Sequence, residues 1–170
     1  MIAALSGLLL WALSGAALIA AGWQKNRLLS ISGLVILIAS PWLLGLLSAP
    51  SLAMLGLASG LLLKHKLRPL LAAWLLLSGL VLYASALGFI AYDIYALGYA
   101  PQIILIWCAI SLSLALQQGH RALAYAWLAA LALYPLGVLE SRNLWDAMLD
   151  PIAMIVGGVS LLRWLWSKRH

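Results

Sequence analysis

The chain has 170 residues, 66% of them hydrophobic and 8% charged, with ten Lys and Arg against four Asp and Glu for a net charge of +6. A soluble globular domain carries about 25% charged residues, so folding in water would expose wide apolar surface and the composition points to lipid as the solvent. The basic excess fits residues that flank membrane helices on the cytoplasmic side and argues against nucleic acid as a partner. A crossing of the hydrocarbon core needs roughly 20 apolar residues. Six or seven crossings use nearly the whole chain, which reads as one transmembrane helical domain over 1–170 with no room for a soluble one.

The first apolar run, residues 2–23, has no basic residue before it, and Lys25 and Arg27 follow it. A secretory signal has the reverse order, so the run is expected to remain as a first helix with its N-terminus outside. The second run, 28–47, contains Pro41, and Ser48-Ala49-Pro50-Ser51 reads as a tight turn. The third, 52–63, would span only about 18 Å. It crosses if Lys64 and Lys66 snorkel to the interface; otherwise it is a half-membrane arm and six crossings remain. After the basic loop Lys64–Pro69 come runs at 69–92, 101–117 and 122–139, then a polar connector at 140–150 and a last run at 151–166 before a basic tail. Pro69, Pro101 and Pro151 suit the first position of a helix, whereas Pro41 and Pro135 are interior and predict kinks.

With seven crossings the connectors alternate between faces. Lys25, Arg27, Lys64, Lys66, Arg68, Arg121, Arg163, Lys168 and Arg169 fall on one face, and Arg142 alone among basic residues on the other. The positive-inside rule makes the first face cytoplasmic. Asp93, Glu140, Asp146 and Asp150 then all fall outside, although they played no part in the orientation. The expected object is an all-α polytopic transmembrane bundle of seven helices in the inner (plasma) membrane, N-terminus out and C-terminus cytoplasmic. Arg27 to Pro41 and Arg121 to Pro135 share a spacing, which suggests a 3+1+3 pseudo-repeat of 1–63 and 101–167, an arrangement known among transporters. No residue run identifies a family.

Chemistry is confined to the outward connectors. Asn143, Asp146 and Asp150 stand at i, i+3 and i+7, one face of a helix. A short helix lying in the interface, with Trp145 at headgroup depth, is the expectation. Asp150 before Pro151 reads as a helix cap, and Asn143 with Asp146 as a capping pair. Asp146 then has the weakest structural reason to be acidic, while Glu140 and Arg142 read as solvated or paired. In the other outward connector Asp93 lies among Tyr92, Tyr95 and Tyr99, either an aromatic belt or an aromatic-walled site for cations and hydroxyl-bearing ligands. If Asp93 and Asp146 met, they could share a proton, hold a hard cation or act as acid and base.

Several chemistries lack their residues. The last run has no lysine for a Schiff base, and no glycine-rich phosphate loop occurs. His65, His120 and His170 all fall in cytoplasmic connectors, which argues against a haem held inside the bundle or an outward zinc site. Cys108 is single and has no disulfide partner in the chain. Serines and glycines read as small packing residues, and most of the nine tryptophans as interface residues. No cofactor and no metal are expected. Beside the bilayer, the expected partner is a small polar or cationic ligand, or another membrane protein, on a site of Asp93, Tyr95, Tyr99, Asn143, Trp145 and Asp146. That describes a receptor or accessory subunit more than an enzyme. A small transporter is one alternative; an enzyme acting on a lipid-linked substrate through Asp146 and Asp93 is the other.

Overall fold

The computed structural model describes residues 2–22, 27–47, 50–100 and 102–169; the Lys25 stop, the Ser48-Ala49 turn, Pro101 and His170 lie outside them. The described residues are all-helical. They form α1 (Ile2–Gly22), α2 (Arg27–Leu47), α3 (Leu52–Leu62), α4 (Pro69–Ala86), α5 (Ile104–Gln117), α6 (Arg121–Leu133), α7 (Leu144–Met148) and α8 (Pro151–Ser167), with 3-10 turns at Tyr95–Tyr99 and Tyr134–Leu136. Against the seven spans expected from sequence, two stretches among the described residues, Leu5–Gly22 and Pro69–Ala86, are long and apolar enough to cross a membrane; α3, α5, α6 and α8 are apolar but shorter.

Left-handed residues close three of the helices, and one of these, α4, stops well before its apolar run does. Gly88 has φ 80°, and Phe89 N–H donates to the Ala84 carbonyl at 2.8 Å, the closure that a glycine just past a helix permits. α4 therefore ends at Ala86 rather than near Tyr92. Gly119 (φ 77°) and Lys64 (φ 58°) close α5 and α3 in the same way, with His120 N–H on Ala115 O and His65 N–H on Gly60 O, both at 2.8 Å. Pro135 does not kink a continuing helix. α6 ends at Leu133, the 3-10 turn carries the proline, and Gly137 at φ 64° turns the chain away.

Side-chain bonds between connectors define two ends. At one, Ser51 at the head of α3 meets Asp150 at the head of α8, and Tyr95 after α4 meets Asp146 after α6. At the other, His65 after α3 lies against His120 after α5, ring centroids 5.5 Å apart. Successive long helices thus run back and forth between an acidic end (Asp93, Glu140, Asp146, Asp150) and a basic end (Lys64, Lys66, Arg68, Arg121). α1 follows the pattern: Leu10 borders a cleft at the acidic end and Leu18 a cavity at the basic end.

Glycines set the closest approaches. A Cβ on Gly15 of α1 would lie 2.8 Å from the Gly33 carbonyl of α2, and one on Gly33 would lie 2.6 Å from the Gly15 carbonyl, so the two backbones touch. Gly157 does the same for α8 against Ala72 of α4, at 2.7 Å. α3 packs between α1 and α6, with Leu52, Ala53, Met54, Gly56, Leu57, Ala58 and Gly60 buried.

Four tryptophans pack against one another between helices, Trp127 and Trp145 buried and Trp74 and Trp107 half-buried. The Trp107 ring stacks with Trp74 at 6.2 Å and meets Trp127 and Trp145 edge-on at 5.8 and 5.0 Å. Each indole N–H has an acceptor: Ser111 for Trp74, Ser78 for Trp107, the Met148 carbonyl for Trp127 and the Ile94 carbonyl for Trp145. Such ring pairs contribute about 0.5–1.5 kcal/mol each beyond the area they bury. They tie α4, α5, α6 and α7 together beneath the acidic end.

Candidate functional site at the acidic end

α7 is the platform. Asn143 caps it: its Oδ1 accepts from Trp145 N–H at 3.0 Å, and its Nδ2 donates to the Tyr95 carbonyl at 3.0 Å. Asn143 is fully buried, so this amide joins the two acidic-end connectors where water cannot substitute. Gly98 makes room for it, since a Cβ there would overlap the Asn143 amide. Tyr134 closes the other side, its hydroxyl donating to the Arg142 carbonyl at 2.9 Å and lying 3.3 Å from the Gly98 carbonyl.

α7 does not lie on the surface. Leu144, Trp145, Ala147 and Met148 are buried, and Trp145 packs on Trp107 instead of pointing outward. The expected i, i+3, i+7 polar face does not form, because α7 ends at Met148 and Asp150 caps α8 instead, and neighbouring elements cover the apolar side chains that lipid was expected to cover.

Asp146 is half-buried at the edge of this platform. The Tyr95 hydroxyl donates to both of its oxygens, at 2.9 and 3.0 Å, and Ser141 Oγ donates to Oδ2 at 2.6 Å. Burial, then the hydrogen bond to Asp146 and its charge, push the Tyr95 phenol above its ordinary range, so it remains a protonated donor. Two donors leave part of the carboxylate's accepting capacity unused. Asp146 also lines a cleft of about 290 Å³, together with Leu10, Pro50, Leu52, Glu140 and Ser141.

The other sequence-derived residues take different places. Asp93 is exposed, and its Oδ1 accepts from Ala96 N–H at 3.0 Å within its own turn. No hydrogen bond joins it to Asp146 among the described residues. Tyr99 is exposed and meets Tyr95 edge-on at 6.4 Å. Asp150 caps α8 through Ala153 N–H at 2.6 Å and also accepts from Ser51 N–H at 3.0 Å, so one carboxylate joins the heads of α8 and α3. Of the six residues, Tyr95, Asn143, Trp145 and Asp146 form one network, and Asp93 and Tyr99 stand at its rim.

Sequence reasoning missed Ser141, Glu140 as a cleft residue, Tyr134 and Gly98. The pair Ser141 and Asn143 flanking Arg142 carried the only local signal, since a Ser two residues before an Asn often bonds its backbone; Asn143 N–H does donate to Ser141 Oγ at 2.9 Å. Compared with protein-family models, with curated proteins and with solved structures, the chain has no match. Among the described residues no three His, Cys, Asp or Glu side chains gather to hold a metal ion.

Proposed function

We propose that this chain is a multi-pass inner-membrane protein whose acidic end faces outward and binds a small cationic or polar ligand, as a receptor or an accessory subunit. The observation that carries the ligand reading is the oriented Asp146 carboxylate, held by Tyr95 and Ser141 in a cleft that Glu140 also lines. Two acidic groups in a semi-enclosed cleft favour a cation, and the surrounding hydroxyls suit a ligand that also donates hydrogen bonds.

The membrane reading draws on the exposed surface. Leu5, Leu9 and Leu13 of α1, and Leu28, Ile31, Leu34, Val35 and Ile38 of α2, are all exposed, a continuous apolar area that water would not tolerate. The short helices are compatible with it. At 1.5 Å per residue, α5 covers about 21 Å, and its flanking turns add length. α3 is shorter still, but α1 and α6 enclose it, and a helix surrounded by protein need not match the bilayer.

Two experiments test the two parts. In a Cys108→Ser background, a membrane-impermeant maleimide should label Glu140→Cys on intact cells and Lys64→Cys only after permeabilisation; equal labelling of both rejects the orientation. For the ligand, the purified chain is titrated with spermidine, tetramethylammonium and Ca²⁺, and the heat of binding is followed by isothermal titration calorimetry. At least one should bind, and Asp146→Asn should weaken it at least tenfold, about 1.4 kcal/mol. No saturable response, or an unchanged affinity in Asp146→Asn, rejects the site.

A further inference from the structure

The basic end holds a second arrangement, which the acidic-end site does not use. His120 is 2% exposed and caps α6, its Nδ1 accepting from Leu123 N–H at 3.3 Å. His65 comes from the distant α3–α4 loop, and its Nδ1 accepts from Ala122 N–H at 3.4 Å. The rings meet edge-on at 5.5 Å. A Cβ on Gly60 would run into the His120 ring, so α3 carries a glycine where the imidazole sits. Both histidines border a cavity of about 160 Å³ whose other walls are mostly apolar, among them Leu18, Met54, Ala58 and Val156, with Ser160 the one other polar residue.

The hydrogen bonds choose the tautomer. A nitrogen that accepts from a backbone N–H carries no proton, so each neutral ring carries its proton on Nε2. Burial lowers the His120 pKa to about 4, opposed by an interaction with the residue's own backbone and helped by His65, so the ring is neutral at pH 7. Among the described residues no hydrogen bond from either Nε2 is seen, and the cavity is the space that they border. Metal ligation through Nε2 would need the proton at Nδ1, against a backbone N–H. The arrangement is therefore a donor pair at the end of an apolar chamber.

We infer that this chamber is a second ligand site, taking an amphiphile whose apolar body enters between α1, α3 and α8 and whose oxygen head, a carboxylate or a ring carbonyl, accepts from the Nε2–H groups of His65 and His120. The cavity encloses about six carbons, since an apolar cavity of about 150 Å³ holds one benzene ring, and it is open on one side, so the end of a longer chain extends out of it. Lys64, Lys66, Arg68 and Arg121, which neighbour the two histidines along the chain, are exposed and add a positive field that favours an electron-rich head.

The test uses the full chain in maltoside micelles with its histidines labelled with ¹⁵N. Decanoate and a fully substituted decyl-benzoquinone are the probes, and decyltrimethylammonium is the control without an accepting head. Either oxygen-headed probe should shift the Nε2 signals of both rings saturably, and the control should not; decanoate alone would mark an anionic lipid, the quinone alone a ring carbonyl. His120→Asn keeps a good helix cap but loses the Nε2 donor, and should weaken binding reported by His65 at least tenfold. Should that variant fail to fold, Ala58→Leu fills the chamber, leaves both rings in place, and must abolish the shifts. Silence from both oxygen-headed probes, an equal response to the control, or unchanged binding in the variant overturns the inference.

Discussion

Replacing Asn143 separates a local cap from a tertiary clasp. In Asn143→Ala, Trp145 N–H and the Tyr95 carbonyl each lose their side-chain partner in a fully buried setting. A buried group left unsatisfied costs about 1–3 kcal/mol, so the pair costs about 3 kcal/mol. For a chain of this size that lowers the melting temperature by roughly 6–12 °C, at about 2–4 °C per kcal/mol. Asn143→Asp is the sharper variant. Asp caps helices about as well as Asn, so a residue that served only as a cap would tolerate it at nearly no cost. Here the second oxygen would face the Tyr95 carbonyl with a charge that has no partner, and the loss should equal or exceed that of alanine. Thermal unfolding of the purified chain, followed by tryptophan emission, measures both variants. An Asp variant within about 0.5 kcal/mol of the parent, the range of an ordinary surface change, would refute the clasp.

Three further outcomes are expected. Gly98→Ala pushes a methyl group into the Asn143 amide and should cost about 2 kcal/mol or more; combined with Asn143→Ala the losses should be less than additive, because both break one network. Asp150→Asn can accept through only one of its two terminal atoms, so either Ala153 N–H or Ser51 N–H loses its acceptor, and denaturation should report a loss of about 1–2 kcal/mol. His120 gives a pH dependence with a definite sign. Its folded pKa of about 4 lies below the ordinary 6.5, so the unfolded chain binds the extra proton. Its contribution is present in full above pH 6.5 and is lost as the pH falls toward 4, up to about 3 kcal/mol; His120→Asn should flatten the stability profile across that window.

The helices were largely legible, and for a simple reason. Apolar runs of this length, punctuated by Pro69, Pro151, Asp150 and the charged loops, leave few alternatives to helix, and α1, α2, α3 and α8 fall within a residue or so of the ranges read from the chain. Where the boundaries moved, a backbone conformation decided. Gly88 and Pro135 sit in apolar surroundings that look like continuing helix, yet the left-handed turn at Gly88 and the ring at Pro135 end α4 and α6 early. The caps at Asn143 and Asp150 also follow from neighbouring residues, since capping acts over two or three positions.

The residues themselves determined an all-helical chain, the segregation of acidic from basic connectors, and the polarity of the 140–150 connector, because each depends on local chemistry and on order along the chain. Only the tertiary structure decided which connectors touch. It set Tyr95 on Asp146, 51 residues away; Ser51 on Asp150, 99 away; and His65 on His120. It also turned Trp145 inward to Trp107. These contacts depend on close approaches such as those at Gly98 beside Asn143 and Gly60 beside His120, a choice made by shape across many side chains at once. No spacing along one strand of sequence carries it.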